Sequence, residues 1–178
     1  MKLTLSKSEM LVLWRRAAGI DPAIADCDIT RVDGFDLDAT LSVFMRSWYL
    51  QLLDTAPLSQ LAPTDIADLF PAGEECSGWL RLQPPQQMRR MVSLRLSGWQ
   101  RPAAPEPWRT GLTDNPFCLP GADAPRVLLA PDGSIWAGPA SGTLASAICV
   151  ADLGSDTYLL DDSAIYTMQN SEFIIHNA

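Results

Sequence analysis

The chain has 178 residues, a formal net charge of −8 and an apolar fraction of 47%. A chain of this length buries roughly 70% of the surface that its unfolded form exposes, so it needs no metal ion or disulfide to fold. Its acidic balance argues against DNA or RNA binding, which needs a surface rich in lysine and arginine. We therefore expect a globular protein that makes no sequence-specific contact with nucleic acids.

The N-terminus does not read as a secretory signal, because residues 6–9 interrupt its apolar run. No stretch of the sequence approaches the roughly 20 apolar residues of a membrane-spanning helix. The sequence has four cysteines that lie too far apart for a C-x-x-C zinc or redox motif: Cys27, Cys76, Cys118 and Cys149. The formation of two disulfides among them is an open alternative. We expect a cytoplasmic protein without membrane contact, bound metal or cofactor.

The N-terminal third carries the signals of helices. Ser6 and Glu9 form a capping box, in which the serine accepts from a first-turn N–H group and the glutamate reaches back. Gly19 suits the left-handed residue that ends a helix. Asp21 and Pro22 then predict the start of a second, short helix.

Five aspartates lie between residues 26 and 38, a density that suggests a calcium loop. Arg31 stands where the EF-hand pattern requires glycine, so we interpret them as turn and capping residues. Asp36 is predicted to cap a helix over residues 37–54. The predicted buried stripe of that helix consists of Leu37, Leu41, Phe44, Trp48 and Leu52, widened by Met45, Tyr49 and Leu53.

Beyond Pro71 the alternation of apolar and polar residues predicts antiparallel strands. The predicted elements are strands at 78–83, 91–99 and 143–152, a connection at 84–90, a hairpin at 126–139 and a last helix at 162–176, capped by Ser163. The expected fold class is α+β, with N-terminal helices packed against a small antiparallel sheet and a short C-terminal helix. We expect one compact domain with a helical part (1–70), a sheet-rich part (71–160) and a C-terminal helix (161–178).

The segment after the second strand is typical of a protein-contact loop. Residues 100–111 hold three prolines, which restrict the unfolded backbone and lower the entropy cost of ordering it. Such a segment suits an extended arm along a neighbouring protein, although a loop that simply covers the sheet is an open alternative. The candidate contact residues are Trp99, Arg101, Trp108, Arg109 and Phe117.

Catalysis is not predicted. The one histidine, His176, stands near the end of the sequence, where a general base is poorly positioned. The pairs Glu74–Glu75 and Asp161–Asp162 are candidates for acid–base chemistry, but adjacent side chains usually point apart. We therefore expect a protein that is not an enzyme and has no catalytic residue.

Residues 82–139 combine a strand entry, a proline-flanked loop and a hairpin in a characteristic order. The residues that carry this pattern are Leu82, Pro84, Arg89 or Arg90, Asn115, Pro116, Pro120, Pro125 and Pro139. The pattern resembles the head–tail adaptor (connector) proteins of tailed bacteriophages and prophages. Two features depart from that family: Gln83 precedes Pro84, where the family has an apolar leucine, and the family's usual long C-terminal helices are not expected from this sequence. The resemblance implies a helical bundle interrupted by a sheet-rich insertion, in a non-catalytic ring component that docks on a portal.

The sequence thus predicts a structural or assembly protein whose partners are other proteins, among them a portal or tail component. Its expected location is the cytoplasm or a phage-like particle, and its oligomeric state is left open. Two alternatives also stay open. One is a small-ligand-binding domain with a pocket between the sheet and the helices, and the other is an enzyme that uses carboxylates.

Overall fold

The computed structural model describes residues 1–17, 19, 36–113 and 115–170. The predicted helix at Asp21, most of the aspartate-rich segment, Cys27 and His176 lie outside these residues.

The chain divides into two compact units. Unit 1 comprises residues 1–62 and 152–178, and unit 2 comprises residues 63–151. The second unit is therefore an insertion into the first along the chain. The boundaries differ by eight or nine residues from the predicted limits of the sheet-rich part.

The described residues form three α-helices and ten β-strands. The helices are α1 (Lys7–Ala17), α2 (Leu37–Thr55) and α3 (Asp162–Asn170). The strands are β1 (Lys2–Ser6), β2 (Thr64–Asp65), β3 (Glu74–Cys76), β4 (Trp79–Leu82), β5 (Met88–Leu96), β6 (Pro105–Pro107), β7 (Arg126–Leu129), β8 (Ile135–Gly138), β9 (Leu144–Ala151) and β10 (Thr157–Asp161). Among the helices in this part of the chain, none has the length and hydropathy that a bilayer span requires.

Unit 1 contains a two-stranded sheet, in which β1 pairs with β10 in antiparallel register. α1 follows β1 directly, and the predicted capping box at its start is confirmed. The Glu9 N–H donates to Ser6 Oγ at 3.3 Å, and the Ser6 N–H donates to the Glu9 carboxylate at 2.8 Å. The bond from the serine backbone lowers the pKa of Glu9. Gly19 has the predicted left-handed backbone, with φ of 70°.

α2 begins as predicted, since the Asp36 side chain accepts from the Ala39 N–H at 3.0 Å. Most of the predicted buried stripe is confirmed, because Met45, Tyr49, Leu52 and Leu53 are buried. Phe44 is the exception, since it is 54% exposed.

Tyr49 holds the buried face of α2 against β10. Its hydroxyl accepts from the Leu159 N–H at 2.9 Å and lies 3.3 Å from the Leu159 carbonyl, to which it donates. Its ring meets the ring of Tyr158 at 4.8 Å. Burial raises the pKa of Tyr49 to about 12. These contacts with β10 fix which face of α2 points inward.

Unit 2 is built from two sheets. The smaller sheet has the strand order β2–β9–β5, and the larger has the order β3–β4–β8–β7–β6. Neighbouring strands are antiparallel except β6 and β7, which are parallel. The core between the two sheets contains Leu82, Leu94, Leu96, Trp99, Ala103, Val127, Ile135 and Ala137.

The predicted fold class is wrong. Strands outnumber helices, the described residues form three sheets, and the largest is a mixed five-stranded sheet rather than a small antiparallel one. The three helices belong to unit 1, which has its own two-stranded sheet. Neither the pairing of β1 with β10 nor the parallel β6 is encoded in local periodicity, because both depend on distant partners.

The local predictions in unit 2 are mostly confirmed. β7 and β8 form the predicted hairpin, and Gly133 in its turn has φ of 82°. β9 lies where a strand was predicted, but β5 begins at Met88, inside the predicted connection. α3 begins at the predicted position, yet its cap is Asp161, whose carboxylate accepts from the N–H and hydroxyl of Ser163.

Candidate protein-contact surface

The outer face of the five-stranded sheet carries the candidate surface. Side chains alternate along a strand, so residues between the core positions point to the opposite face. These outer residues are Trp79 and Arg81 on β4, Arg126 and Leu128 on β7, and Trp136 and Gly138 on β8. Trp79 and Leu128 are nevertheless fully buried. The rings of Trp79 and Pro120 both lie within 3 Å of the position of a Cβ on Gly138, so the long connection after β6 lies against Trp79.

The described residues of that connection, 108–113 and 115–124, are called the strap. At its start, Trp108 packs against Trp136 with ring centroids 5.6 Å apart and planes at 64°. The Trp108 N–H also donates to the Leu129 carbonyl at 3.2 Å. These contacts fix the first end of the strap beside the β7–β8 turn.

The other end of the strap rests on two glycines. Leu119 lies 3.2 Å from the position that a Cβ would take on Gly78, in the β3–β4 turn. Pro120 lies 2.9 Å from the corresponding position on Gly138. The absent Cβ atoms provide the space in which the strap approaches the sheet. The strap therefore crosses the outer face and is held at both ends.

A hydrogen-bond chain fixes Trp136 beneath the strap. Its indole N–H donates to Ser134 Oγ at 3.0 Å, and that hydroxyl donates to Asp132 at 2.7 Å. Arg81 donates to the same carboxylate at 2.8 Å and stands 5.9 Å from the Trp136 ring centre. The bonds from Ser134, and then the one from Arg81, lower the pKa of Asp132.

An ion pair holds β6, the strand that leads into the strap. Arg126 donates to Glu106 at 2.7 Å, and both side chains are partly exposed. The hydrogen bond from Arg126 lowers the pKa of Glu106, and the same bond raises the pKa of Arg126. The pair stays ionised at neutral pH and ties β6 to the start of β7.

Phe117 projects from the middle of the strap. It lies in a one-turn 3-10 helix, where the Asn115 side chain accepts from the Phe117 N–H at 3.0 Å. The Asn115 carbonyl accepts from the Cys118 N–H at 2.9 Å. Phe117 is 96% exposed, and Leu119 beside it is 42% exposed. A large aromatic ring is thus presented to solvent on a fixed backbone.

The structure corrects one of the five predicted contact residues. Trp99 is 2% exposed, and its indole N–H donates to the Pro139 carbonyl at 2.8 Å, so it is a core residue of unit 2. Arg101 and Arg109 are exposed, and Trp108 is half-buried. The loop therefore fits both alternatives that the sequence left open, because it covers the sheet and also carries exposed side chains.

Sequence reasoning missed Trp136, Arg81 and Leu119. The signal for the first two was the alternation of side chains along a strand, because Trp136 alternates with Ile135 and Ala137, and Arg81 alternates with Leu80 and Leu82. No local signal places Leu119 against a glycine about forty residues away in the chain.

The alternatives receive less support. The dry face of the sheet is filled by the core between the two sheets, where the ligand-binding hypothesis places its pocket. A depression of about 440 Å³ near Ser6, Leu11 and Asp156 is shallow and open. Hydrogen bonds, first from the Ser163 N–H, lower the pKa of Asp161, which is the opposite of what a general acid needs.

No protein-family model matches the chain, and no curated protein is similar to it. Among the described residues, no group of three or more histidine, cysteine or acidic side chains is placed to hold a metal ion. Cys76, Cys118 and Cys149 are free thiols.

Proposed function

We propose that this chain is a non-catalytic structural protein that contacts other proteins through the strap, as a head–tail adaptor-like component of a prophage or related element. The observation that carries the proposal is Phe117, a fully exposed aromatic ring on a backbone held at both ends. Interface hot spots are rich in aromatic anchors. An anchor that is already ordered loses little conformational entropy when it binds.

The organisation of the chain also supports the proposal. Unit 2 is rich in strands and is inserted into a unit that contains all three described α-helices. An insertion of this kind is what the resemblance of residues 82–139 to adaptor proteins implies. The partners proposed are a portal or tail component and other copies of the chain, and the proposed location is a phage-like particle assembled in the cytoplasm.

The experiment measures whether the protein is incorporated into phage-like particles. Cells that encode it are induced to release phage-like particles, which are separated on a density gradient and probed with an antibody. We expect the wild-type chain in the particle fractions and the Phe117→Asp variant at the top of the gradient, depleted at least roughly tenfold in particles. Thr110→Asp places the same charge at another exposed strap position and should enter particles like the wild type.

Two outcomes would contradict the proposed function. A wild-type chain that never sediments with particles is not a virion component. A Phe117→Asp variant that enters particles as well as Thr110→Asp does shows that the strap is not the contact surface.

A further inference from the structure

We propose that the free edge of β3 binds an extended basic segment of the partner protein, which adds a strand to the five-stranded sheet. The inference rests on the proposed function for the identity of the partner, a portal or tail component. It adds the chemistry of the segment that this partner presents beside the strap. It is drawn from the hydrogen-bonding pattern of the β3–β4 hairpin and from the exposure and charge of the residues around it.

The β3–β4 hairpin determines which backbone groups of β3 are free. Its two-residue turn, Ser77 and Gly78, has positive φ at both positions, 51° and 80°. In a hairpin with such a turn, the two residues that flank the turn exchange hydrogen bonds, and their neighbours point away from the partner strand. Cys76 and Trp79 are the flanking pair. The N–H and the carbonyl of Glu75 therefore point away from β4.

In the described part of the chain, no strand pairs with this edge. β3 is the outermost strand in the order β3–β4–β8–β7–β6, and residues 71–77 are all exposed. The opposite edge of the same sheet is different, because two of the three residues of β6 are prolines and have no N–H to donate. β3 is therefore the edge of this sheet that can form a full set of hydrogen bonds with a further strand.

The β3 edge carries an excess of negative charge. Glu74 and Glu75 are exposed, and neither makes an ion pair with a described residue. The one basic side chain of the hairpin is Arg81, which lies opposite Glu74 but donates to the carboxylate of Asp132. Three carboxylates thus surround one guanidinium. Like charges directly opposite on two strands are destabilising and opposite charges are stabilising, so the edge disfavours an acidic strand and favours a basic one.

The faces of β3 indicate which sequence the segment should have. Adjacent residues of a strand point to opposite faces, so the two glutamates are met by two consecutive basic residues, one on each face. The next position lies opposite Cys76, which shares the outer face with Trp79. The strap rests at this end of the hairpin, where Leu119 lies 3.2 Å from the Cβ position of Gly78. An apolar residue beside the basic pair would therefore stand near Leu119 and the exposed ring of Phe117.

A capped peptide with the palindromic core Val-Lys-Lys-Val is the probe, because it can pair in either direction. It is titrated to millimolar concentration into the isotope-labelled full chain, and binding and amide exchange are followed by NMR. In the free chain the Glu75 N–H should exchange quickly with solvent, since it points away from β4. With the peptide bound, we expect this exchange to slow at least roughly tenfold.

Two controls separate strand pairing from attraction between charges. The same peptide with both lysines N-methylated keeps its charge but loses the donors, so it should bind at least roughly tenfold more weakly. The variant Glu74→Gln/Glu75→Gln should bind the unmodified peptide at least roughly threefold more weakly. The variant Asp68→Asn/Asp156→Asn removes the same charge from exposed positions elsewhere and should bind it like the wild type.

The outcomes separate this inference from the proposed function. A peptide that does not bind, that leaves the exchange at Glu75 unchanged, or that binds equally well after N-methylation overturns the inference, because the charges then only keep other strands away. If Phe117→Asp is still lost from particles in that case, the proposed function stands without it. If the peptide binds as expected and Phe117→Asp enters particles normally, β3 is a strand-binding edge and the proposed function fails.

Discussion

Replacing Trp99 by alanine lowers the free energy of unfolding by about 3–5 kcal/mol, the loss expected for a large aromatic side chain removed from a core. The ring is 2% exposed and packs among the apolar side chains between the two sheets of unit 2. The substitution also removes the indole N–H that donates to the Pro139 carbonyl at 2.8 Å, so this carbonyl keeps only the longer bond from the Ser141 hydroxyl, at 3.4 Å. Urea denaturation followed by circular dichroism measures the change.

Two matched variants help to assign the loss of stability, one to the indole N–H and one to the depth at which the ring is buried. Trp99→Phe keeps an aromatic ring but loses the N–H donor, so it should cost less than alanine. Trp108→Ala removes a half-buried ring on the strap and should also cost less. A Trp99→Ala chain as stable as the wild type would show that the ring is not in the core, and would return Trp99 to the set of contact candidates.

Replacing Gly138 by alanine destabilises unit 2 and loosens the strap. The new Cβ would stand 2.6 Å from the Trp79 ring and 2.9 Å from the ring of Pro120, both closer than van der Waals contact allows. Trp79 is fully buried and cannot move aside freely. Overpacking of this kind costs about 1–3 kcal/mol. Pro120 is the neighbour with more freedom, so we expect the strap to lift and to be cleaved faster by a protease.

Gly133→Ala is the matched control for this prediction. Nothing lies within 4 Å of a Cβ at that position, so the variant reports only the strain of a left-handed turn residue. It should leave the rate of cleavage in the strap unchanged. If Gly138→Ala is cleaved no faster than Gly133→Ala, the strap is not seated on Gly138 as described.

The sequence predicts those elements whose signals are local. The capping box of Ser6 and Glu9, the cap at Asp36 and the β7–β8 hairpin each depend on residues within a few positions of one another. Their geometry follows from hydrogen bonds that the backbone forms wherever the chain goes. These predictions are therefore confirmed, although the predicted fold class is wrong.

The errors concern contacts between distant residues. Periodicity predicts that α2 has a buried side, but its exact direction depends on Tyr49 meeting Leu159, more than a hundred residues later. Trp79 alternates with Leu80 and Leu82, so the pattern alone predicts it on the solvent-exposed face of the strand. It is buried because the strap returns over it about forty residues further along the chain.

For the candidate surface too, local signals are predicted from the sequence and contacts between distant residues are not. The sequence marks Trp108 and Phe117 as contact candidates because they stand in a proline-rich connection. It cannot distinguish the ring that packs on Trp136 from the ring that points into solvent, because this depends on where the two ends of the strap are fixed. Trp99 was misplaced for a related reason, since its strand ends in the core rather than at an exposed edge.

Phe117 is proposed to contact another protein chain. The most direct test replaces it with a photo-crosslinking phenylalanine analogue in the cells that encode the protein, followed by mass spectrometry of the crosslinked products. The account predicts an intermolecular crosslink from position 117 that is far more abundant than one from the same analogue at Thr110. Crosslinks from position 117 no more frequent than from Thr110 would contradict it.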